Sequence, residues 1–169
     1  MYDELDKRII EELQINGRES YVELARKLGV VEGTVRKRLK RLTDQKIIRV
    51  LAVPDMRQLG CGFVSILGIQ VKLEELRKVA EKLSQNPHIC YLGFVTGRYD
   101  LMAIVLTQSP EELSRLIEKE ISAIPSILRI ETFVNLDIMK GASPYLDTRQ
   151  LVHNLVPGAS RKIEQTKLF

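Results

Sequence analysis

The stretch GVVEGTVRKRLKRL, residues 29–42, decides how the chain begins to fold. Val35, Leu39 and Leu42 recur at the spacing of one apolar stripe on a helix, and the cations between them fall off that stripe. A helix with one apolar edge and a cationic outer face either binds an anionic partner or lies solvated on a surface. The residues on either side decide between these two interpretations.

Two shorter helices are predicted upstream of this stretch. Residues 3–15 carry an apolar stripe behind Asp3, a favourable N-cap, and the helix ends at Asn16-Gly17. Ser20 and Glu23 form a capping-box pattern that opens a second helix, which runs to Gly29. This order is typical of a helix-turn-helix, whose second helix lies in the DNA major groove.

The positive charge of the chain is concentrated near the same stretch. The formal net charge is +4, and residues 34–49 alone hold 7 Lys/Arg and 1 Asp. A localised excess of cations is the footprint of a nucleic-acid-binding face. We therefore expect double-stranded DNA to be a partner.

The rest of the chain alternates between strand and helix patterns. Residues 47–53, IIRVLAV, predict a strand that Pro54 ends. Further strands are predicted over 62–72, 89–96, 99–107 and 127–139, with helices over 73–85 and from the capping-box pattern of Ser109 and Glu112 to Pro125. This βαββαβ order is the ferredoxin-like split βαβ unit.

The predicted fold class is therefore α+β, with three segments. A winged or helix-turn-helix head with a hinge strand occupies residues 1–53, and a ferredoxin-like βαββαβ domain occupies residues 54–141. Residues 142–169 are a C-terminal extension in which 147–156 predict one more short helix.

Both faces of the predicted sheet are apolar, which predicts a homodimer. The two helices must cover one face, and the pattern leaves open which face that is. One set of alternating positions holds Phe63, Leu67, Ile69 and Val71; the other holds Val64, Ile66, Cys90, Leu92, Phe94, Met102, Ile104 and Leu106. The face without helices needs a cover, and pairing two chains through their sheets is the simplest one.

Several kinds of site are not indicated. Cys61 and Cys90 lie in apolar runs and predict buried free thiols, and His88 and His153 lack the spacing of metal ligands. The pattern contains no catalytic triad and no Gly-rich phosphate loop, so we expect no catalytic residue, metal or cofactor. No apolar run approaches the ~18 residues of a membrane span and no signal-peptide pattern opens the chain, which predicts a cytoplasmic protein without membrane contact.

Together these features resemble the Lrp/AsnC family of feast/famine transcription regulators. The resemblance covers residues 3 to about 141 and rests on Asp3-x-x-Asp6-x-x-Ile9, on residues 23–30, on Val35-x-x-Arg38-Leu39-x-x-Leu42, and on residues 95–101, whose Gly97-Arg98-Tyr99-Asp100 resembles the family's Gly-x-aromatic-Asp turn. Two positions depart from the family: Val31 stands where a Ser N-cap is usual, and Lys46 where a glycine often precedes the hinge strand.

The resemblance implies a DNA-binding regulator that is not an enzyme. It makes residues 54–141 the domain that binds a small amino acid effector and forms the dimer. It also implies that dimers assemble further, in many cases to tetramers or octamers.

The predicted DNA-binding residues lie on the second and third helices. The N-terminal part of a recognition helix usually reads base edges, which assigns that role to Glu32, Gly33, Thr34, Arg36 and Lys37. Phosphate contacts are assigned to Arg38, Lys40 and Arg41, and to Ser20 and Tyr21 at the start of the second helix. Three alternatives stay open: Arg38 pairs with a carboxylate of the first helix, Ser20 is a plain N-cap, and Gly33 only weakens its helix.

The effector-binding residues that the resemblance implies are Gly97, Arg98, Tyr99 and Asp100, and Thr132 in the last strand is a weaker candidate. The Arg98 side chain meets either the effector carboxylate or only solvent. Asp100 would receive the ammonium group of an amino acid, while backbone N–H groups near Gly97 and Arg98 receive its carboxylate. The alternative for Asp100 is a turn residue that accepts from backbone N–H groups, and for Thr132 an ordinary strand residue. Tyr99 faces the opposite side of its strand and is expected to pack.

Two other functions compete with a DNA-binding regulator. Some haem-pathway decarboxylases share the two-domain architecture and bind a tetrapyrrole, but they have no need of a cation-rich recognition helix. The second competitor is an amino-acid-binding regulatory module that acts on a partner protein without binding an operator.

Overall fold

The structure, a computed structural model, describes residues 2–139, so the short helix predicted over 147–156 lies outside the described residues. The chain divides into two compact units between Ala52 and Val53. We call the first unit the head and the second unit the body.

The head consists of three helices: α1 (Glu4–Ile15), α2 (Tyr21–Leu28) and α3 (Glu32–Asp44). Asp3 caps α1 in a capping box with Asp6, and the Ser20 side chain caps α2. Gly29 ends α2 in the left-handed conformation, with φ of 70°, which a residue without Cβ adopts at no steric cost. The predicted helices and apolar stripes are confirmed: the buried core of the head holds Ile9, Leu24, Ala25, Leu28, Val35, Leu39 and Leu42.

Two local predictions in the head are corrected. The Glu23 carboxylate pairs with Arg26, so only the Ser20 half of that capping box is present. Residues 47–53 form no strand, and Val50 and Leu51 lie exposed. Their sequence favours extended backbone, but a strand also needs a partner edge, and residues 2–52 contain no other strand. Among these residues the head is therefore a helix-turn-helix without a wing.

The body is a four-stranded antiparallel sheet with two helices, in the predicted βαββαβ order. Its strands are β1 (Phe63–Val71), β2 (Ile89–Phe94), β3 (Leu101–Thr107) and β4 (Ile127–Val134), and they lie in the order β2-β3-β1-β4. α4 (Leu76–Leu83) follows a 3-10 turn, and α5 (Pro110–Leu116) continues into a π-helical turn at Ile117–Ile121. Leu73 opens the 3-10 turn and is exposed, so it does not join the predicted stripe of α4.

The hydrophobic core settles which face of the sheet the helices cover. Leu67, Ile69 and Val71 of β1 pack with α4 and α5, together with Leu101, Ala103 and Val105 of β3. Leu92 packs on this helix-covered face as well, and Phe94 pairs with Leu101 and lies under Arg77 of α4, which corrects the predicted placement of both residues on the other face. The register shifts between Ile89 and Tyr91, and such an irregularity reverses the alternation of the residues that follow.

The opposite face, which we call the open face, is only partly covered. Met56 and Cys61 pack over Cys90 and Leu106 at one end, so both thiols are buried, as predicted. Further positions on this face, in register across the sheet, hold Ile66, Gly68, Tyr91, Gly93, Met102, Ile104, Glu131 and Phe133. Among the described residues no helix packs on this part, and Tyr91 and Phe133 are nearly half exposed.

Candidate nucleic-acid interface and ligand turn

The cations of α3 divide into an inward and an outward group. Arg38 and Arg41 form the inward group and donate to the fully buried carboxylate of Asp6 on α1. Arg38 Nη1 lies 3.2 Å from Asp6 Oδ1 and also donates to Asp3, while the Asp3 backbone N–H donates to Asp6 Oδ2 at 2.9 Å. We call these four residues the Asp6 cluster. A buried carboxylate needs such donors, because desolvation would otherwise neutralise it.

The Asp6 cluster changes how two predicted phosphate contacts are interpreted. Of the two roles open for Arg38, the structure favours the ion pair with the first helix. Arg41 was assigned to phosphate as well, yet its guanidinium is engaged by Asp6. The hydrogen bond from Arg38 also holds the pKa of the Asp3 carboxyl at about 2, below its usual 3.8. The sequence carried a signal for this cluster in the Asp3-x-x-Asp6 spacing, but not its partner on α3.

The outward group consists of Arg36, Lys37 and Lys40. Arg36 Nη2 lies 2.5 Å from Glu32 Oε1, and its guanidinium carbon lies 5.2 Å from the centre of the Tyr21 ring on α2. Lys40 Nζ lies 2.8 Å from Asp44 Oδ2, and this pair raises the pKa of the lysine. Lys37 is exposed and has no ion pair among residues 2–139.

The N-terminus of α3 is open to approach from outside. Val31 occupies its N-cap and makes no side-chain capping bond, as its apolar side chain predicts. A Cβ added at Gly33 would meet nothing within 4 Å, and Thr34 next to it is half-buried. Free backbone N–H groups at a helix N-terminus favour an anion such as a phosphate.

A groove in the head brings the start of α2 and the outward face of α3 together. Tyr21, Arg36 and Lys40 line it, together with Arg18 and Val50. Arg18 was not among the predicted DNA-binding residues, although its position just before the Ser20 cap is a signal that sequence analysis could have used. Within the described part of the chain, Arg18 makes no ion pair through its side chain. Ser20 Oγ accepts from the Glu23 N–H at 3.1 Å and so serves as an N-cap.

In the body, the predicted ligand turn joins β2 to β3. Gly97 has φ of 110°, a conformation that favours glycine. Asp100 Oδ2 accepts from the Val71 N–H at 2.9 Å, and the Asp100 N–H donates to the Ile69 carbonyl at 3.0 Å. Asp100 therefore ties the turn to β1. The alternative predicted for Asp100 was a turn residue that accepts from backbone N–H groups, and the structure shows such a bond, but its donor lies on β1 and not in the turn.

Tyr99 packs on the open face, as its alternation with Asp100 predicts. Its ring covers Gly68, where an added Cβ would lie only 2.7 Å from a ring atom, and it makes an edge contact with Phe133 at 6.4 Å. Its hydroxyl donates to the Glu131 carboxylate, and this bond raises the pKa of Tyr99 and lowers that of Glu131.

Two arginines complete a cluster around Glu131, which we call the Glu131 cluster. Arg129 Nη2 lies 2.8 Å from Glu131 Oε1, and Arg98 Nη1 lies 3.6 Å from the same atom. Glu131 was not among the predicted site residues, whereas its neighbour Thr132 was. Thr132 pairs with Leu67 and therefore lies on the helix-covered face, whereas Glu131 pairs with Gly68 on the open face. The structure thus brings Gly97, Arg98, Tyr99 and Asp100 together at one turn, and separates Thr132 from the Tyr99 ring by the sheet.

The described residues contain neither a metal-binding cluster nor a membrane-spanning helix. No group of three or more His, Cys, Asp or Glu side chains there is arranged to hold a metal ion. His88 Nδ1 lies 3.1 Å from the Leu106 carbonyl, and His153 lies outside the described residues. None of the helices in residues 2–139 is long and apolar enough to cross a membrane.

A helix-turn-helix head whose recognition helix, α3, is basic, followed by a ferredoxin-like body, defines a class of two-domain transcription regulators. The family model for the AsnC-type helix-turn-helix domain matches residues 3–43, and the model for the Lrp/AsnC ligand binding domain matches residues 64–145. The chain belongs to the Lrp/AsnC family of transcriptional regulators.

Individual relatives agree with this assignment. The chain is 38% identical over 141 residues to an uncharacterised HTH-type transcriptional regulator of Pyrococcus furiosus. The matched region is 83% of this chain and 95% of the relative. The chain is 33% identical over 141 residues to the HTH-type transcriptional regulator LrpA of Pyrococcus horikoshii, covering 83% of this chain and all of that protein. These relatives carry the names of regulators, not of enzymes.

Solved structures show the same fold. E. coli AsnC matches with a TM-score of 0.78 at 28% identity, over 85% of this chain and 99% of that one. A transcriptional regulator of Neisseria meningitidis in complex with L-Met matches with a TM-score of 0.80 at 19% identity, over 85% and 95%. The second likeness concerns the fold alone.

Proposed function

We propose that this regulator binds duplex DNA through the outward face of α3 and that a small amino acid controls the binding. The observation that carries the DNA proposal is the division of the α3 cations. Arg38 and Arg41 turn inward to Asp6, while Lys37 lies exposed and without a described partner. A helix that holds its inner arginines against a buried carboxylate and exposes its outer cations offers one cationic face to an anion.

The residues of this face take two kinds of role in the proposal. Glu32, Gly33, Thr34, Arg36 and Lys37 approach base edges from the N-terminal part of α3, where HTH recognition helices read the major groove. Lys40, Arg18, Tyr21 and the Ser20 cap lie toward the phosphates. Arg38 and Arg41 hold α3 against α1, and in this proposal they serve DNA binding by fixing the helix that reads it.

We further propose that the protein acts as a homodimer through the open face. The apolar positions Ile66, Met102, Ile104 and Phe133 have no covering helix among the described residues, and a second copy would bury them. A twofold dimer requires roughly palindromic half-sites about one helical turn or a multiple apart. Light scattering at micromolar concentration is expected to give at least the dimer mass, and a monomer mass would contradict the proposal. Tetramers and octamers are an extension that the same measurement tests.

The salt dependence of DNA binding tests the DNA proposal. The double variant Lys37→Ala/Lys40→Ala should weaken binding to the promoter of the protein's own gene. Loss of the Lys40 phosphate contact should lower the slope of log K against log salt by about one unit in each subunit, and loss of Lys37 should change the sequence preference. Lys78→Ala/Lys82→Ala on α4 is the matched control, because it also removes one paired and one unpaired exposed lysine. Equal slopes for the two double variants would show that α3 does not grip the backbone.

A thermal-shift screen of the twenty amino acids tests the effector proposal. Ligand at about 100 times its Kd stabilises the folded protein by roughly 2.7 kcal/mol, which raises Tm by a few degrees. Asp100→Asn removes the charge that would meet an ammonium group and keeps an oxygen for the Val71 N–H. We expect one or a few responding amino acids with the wild type and none with Asp100→Asn. An unchanged response of the variant would leave Asp100 with its structural role alone.

A further inference from the structure

Arg36 differs from the other outward cations of α3 because residues of two helices restrain it. Lys37 has no described ion-pair partner, and Lys40 pairs only with Asp44 on its own helix. The guanidinium of Arg36 is paired with Glu32 one turn earlier on α3, and it lies over the ring of Tyr21 on α2. These contacts persist although 65% of the Arg36 side chain is exposed.

The two contacts restrain different properties of the guanidinium. The ring of Tyr21 attracts its positive charge from one side, which limits where the flat group can lie. Glu32 accepts from one terminal nitrogen, which limits its rotation about the side-chain axis. The other donors stay available, because a guanidinium has five N–H groups in a fixed fork.

A restrained fork on a recognition helix fits one kind of target particularly well. A bidentate pair of hydrogen bonds from arginine to O6 and N7 of guanine is the commonest specific contact in the major groove. A freely rotating side chain loses more rotamer freedom on making that contact than a pre-oriented one. Phosphate makes a weaker demand on orientation, since it accepts hydrogen bonds from many directions.

From this geometry we infer that Arg36 reads a guanine in the operator and that Tyr21 and Glu32 are positioning residues that orient it. The inference rests on the proposed DNA binding through α3 and adds which residue determines specificity. It assigns Tyr21 a role through its ring, in addition to any contact of its hydroxyl with a phosphate. Glu32, in the same arrangement, acts on the operator through Arg36.

The test begins with selection of binding sites by the full-length wild type from a pool of randomised duplexes. Affinities are then measured for the selected site and for sites with each G·C pair replaced in turn. Arg36→Lys keeps the charge and removes the fork, so it should lower discrimination at one G·C pair by about tenfold or more. Other positions of the site should be unaffected.

The Tyr21 variants separate the ring from the hydroxyl. Tyr21→Leu should lower discrimination at the same G·C pair about two- to fivefold, the usual size of an exposed cation–π contact, and leave the salt slope unchanged. Tyr21→Phe keeps the ring and should retain wild-type discrimination at that pair. Val22→Ala, at the exposed neighbouring position of α2, is the control for disturbing the helix start. Equal Tm values would show that the variants are folded.

Three outcomes would overturn the inference. If Tyr21→Phe lost as much discrimination as Tyr21→Leu, the hydroxyl and not the ring would matter. If Tyr21→Leu weakened all sequences alike, Tyr21 would be a backbone contact, and DNA binding through α3 would still stand. If the wild type retained no duplex from the pool, the proposed function itself would fail, and the inference with it.

Discussion

The head and the body each contain a cluster of charged side chains, and the two clusters differ in depth. In the head, Asp6 is completely buried between two arginines of α3. In the body, 23% of the Glu131 side chain is exposed, and its partners Arg98 and Arg129 are 69% and 62% exposed. Both clusters link distant parts of the sequence, α1 to α3 in the head and the ligand turn to β4 in the body.

The difference follows from the size of the two hydrophobic cores. The buried core of the head holds 7 residues, whereas that of the helix-covered face of the body holds 14. A small helical unit buries little apolar surface, so an internal ion pair can decide whether its helices stay in register. The body is held by its sheet and core, and its exposed cluster orients side chains more than it stabilises the fold.

The largest expected effect follows removal of the buried carboxylate. Asp6→Ala should destabilise the head by about 3 kcal/mol, because it leaves two arginines without the partner that they approach from α3. Amide hydrogen exchange of the full-length protein measures this directly, as a loss of protection in α1–α3. The strands of the body should exchange as in the wild type.

Glu131→Ala is the matched variant in the body. It removes a partly buried carboxylate whose two arginine partners are exposed, and it should cost less than about 1 kcal/mol. If the two substitutions had equal effects on exchange in their own units, depth would not distinguish the two clusters.

An intermediate effect is expected from Gly68→Ala, which crowds the ring of Tyr99, the residue whose hydroxyl donates to Glu131. A Cβ at this position would lie 2.7 Å from an atom of the Tyr99 ring, so the ring must move away from the β1 backbone that it now covers. Overpacking of this kind should destabilise the body by about 2 kcal/mol and lower Tm by several degrees.

The double variant Gly68→Ala/Tyr99→Ala serves as the control for this crowding. It should be less destabilised than the sum of its two single variants, because the clash disappears with the ring. Strict additivity in thermal unfolding would argue against contact between these two residues.

The smallest expected effect concerns acid. The pKa of Asp3 in the folded chain is about 2, compared with 3.8 ordinarily, so its ion pair with Arg38 contributes fully above pH 3.8. That contribution should disappear as the pH falls from about 4 to about 2, when the carboxyl becomes protonated. In Asp3→Asn the free energy of unfolding should vary less steeply over this range. An NMR titration of Asp3 with a midpoint near 3.8 would contradict the pairing.

Acid should also weaken the Glu131 cluster of the body. The bond from Tyr99 and the neighbouring arginines lower the pKa of Glu131 below its usual 4.5. Stability from this cluster is therefore present above pH 4.5 and lost at lower pH. Because the cluster is exposed, added salt should weaken it more than the buried Asp6 cluster, which unfolding curves at two ionic strengths would reveal.

The fold could be predicted in most of its parts because its signals are local. Asp3 and Ser20 mark helix starts because their side chains accept from backbone N–H groups, and Gly29 marks a helix end because the lack of a Cβ allows the left-handed conformation; all three do so in the structure. The alternation of strands and helices in the body, with the turn at Gly97, was sufficient for the βαββαβ order. Family membership followed from the same motifs.

The sites were less predictable because their residues are brought together by pairing across the chain. The sequence predicted helices over residues 3–15 and in the stretch 29–42, but not that Asp6 lies between Arg38 and Arg41. The sequence also contained no sign of the register shift in β2. That shift decides which face of the sheet Leu92 lies on.

Sequence alone also predicted a strand at residues 47–53, where extended backbone is favoured but no partner strand is present among residues 2–52. Helix caps and apolar stripes depend on neighbours within about four residues, so the chain itself specifies them. Ion pairs, strand register and the choice of sheet face depend on residues distant in the sequence. For that reason only the tertiary structure could divide the cations of α3 into an inward and an outward group.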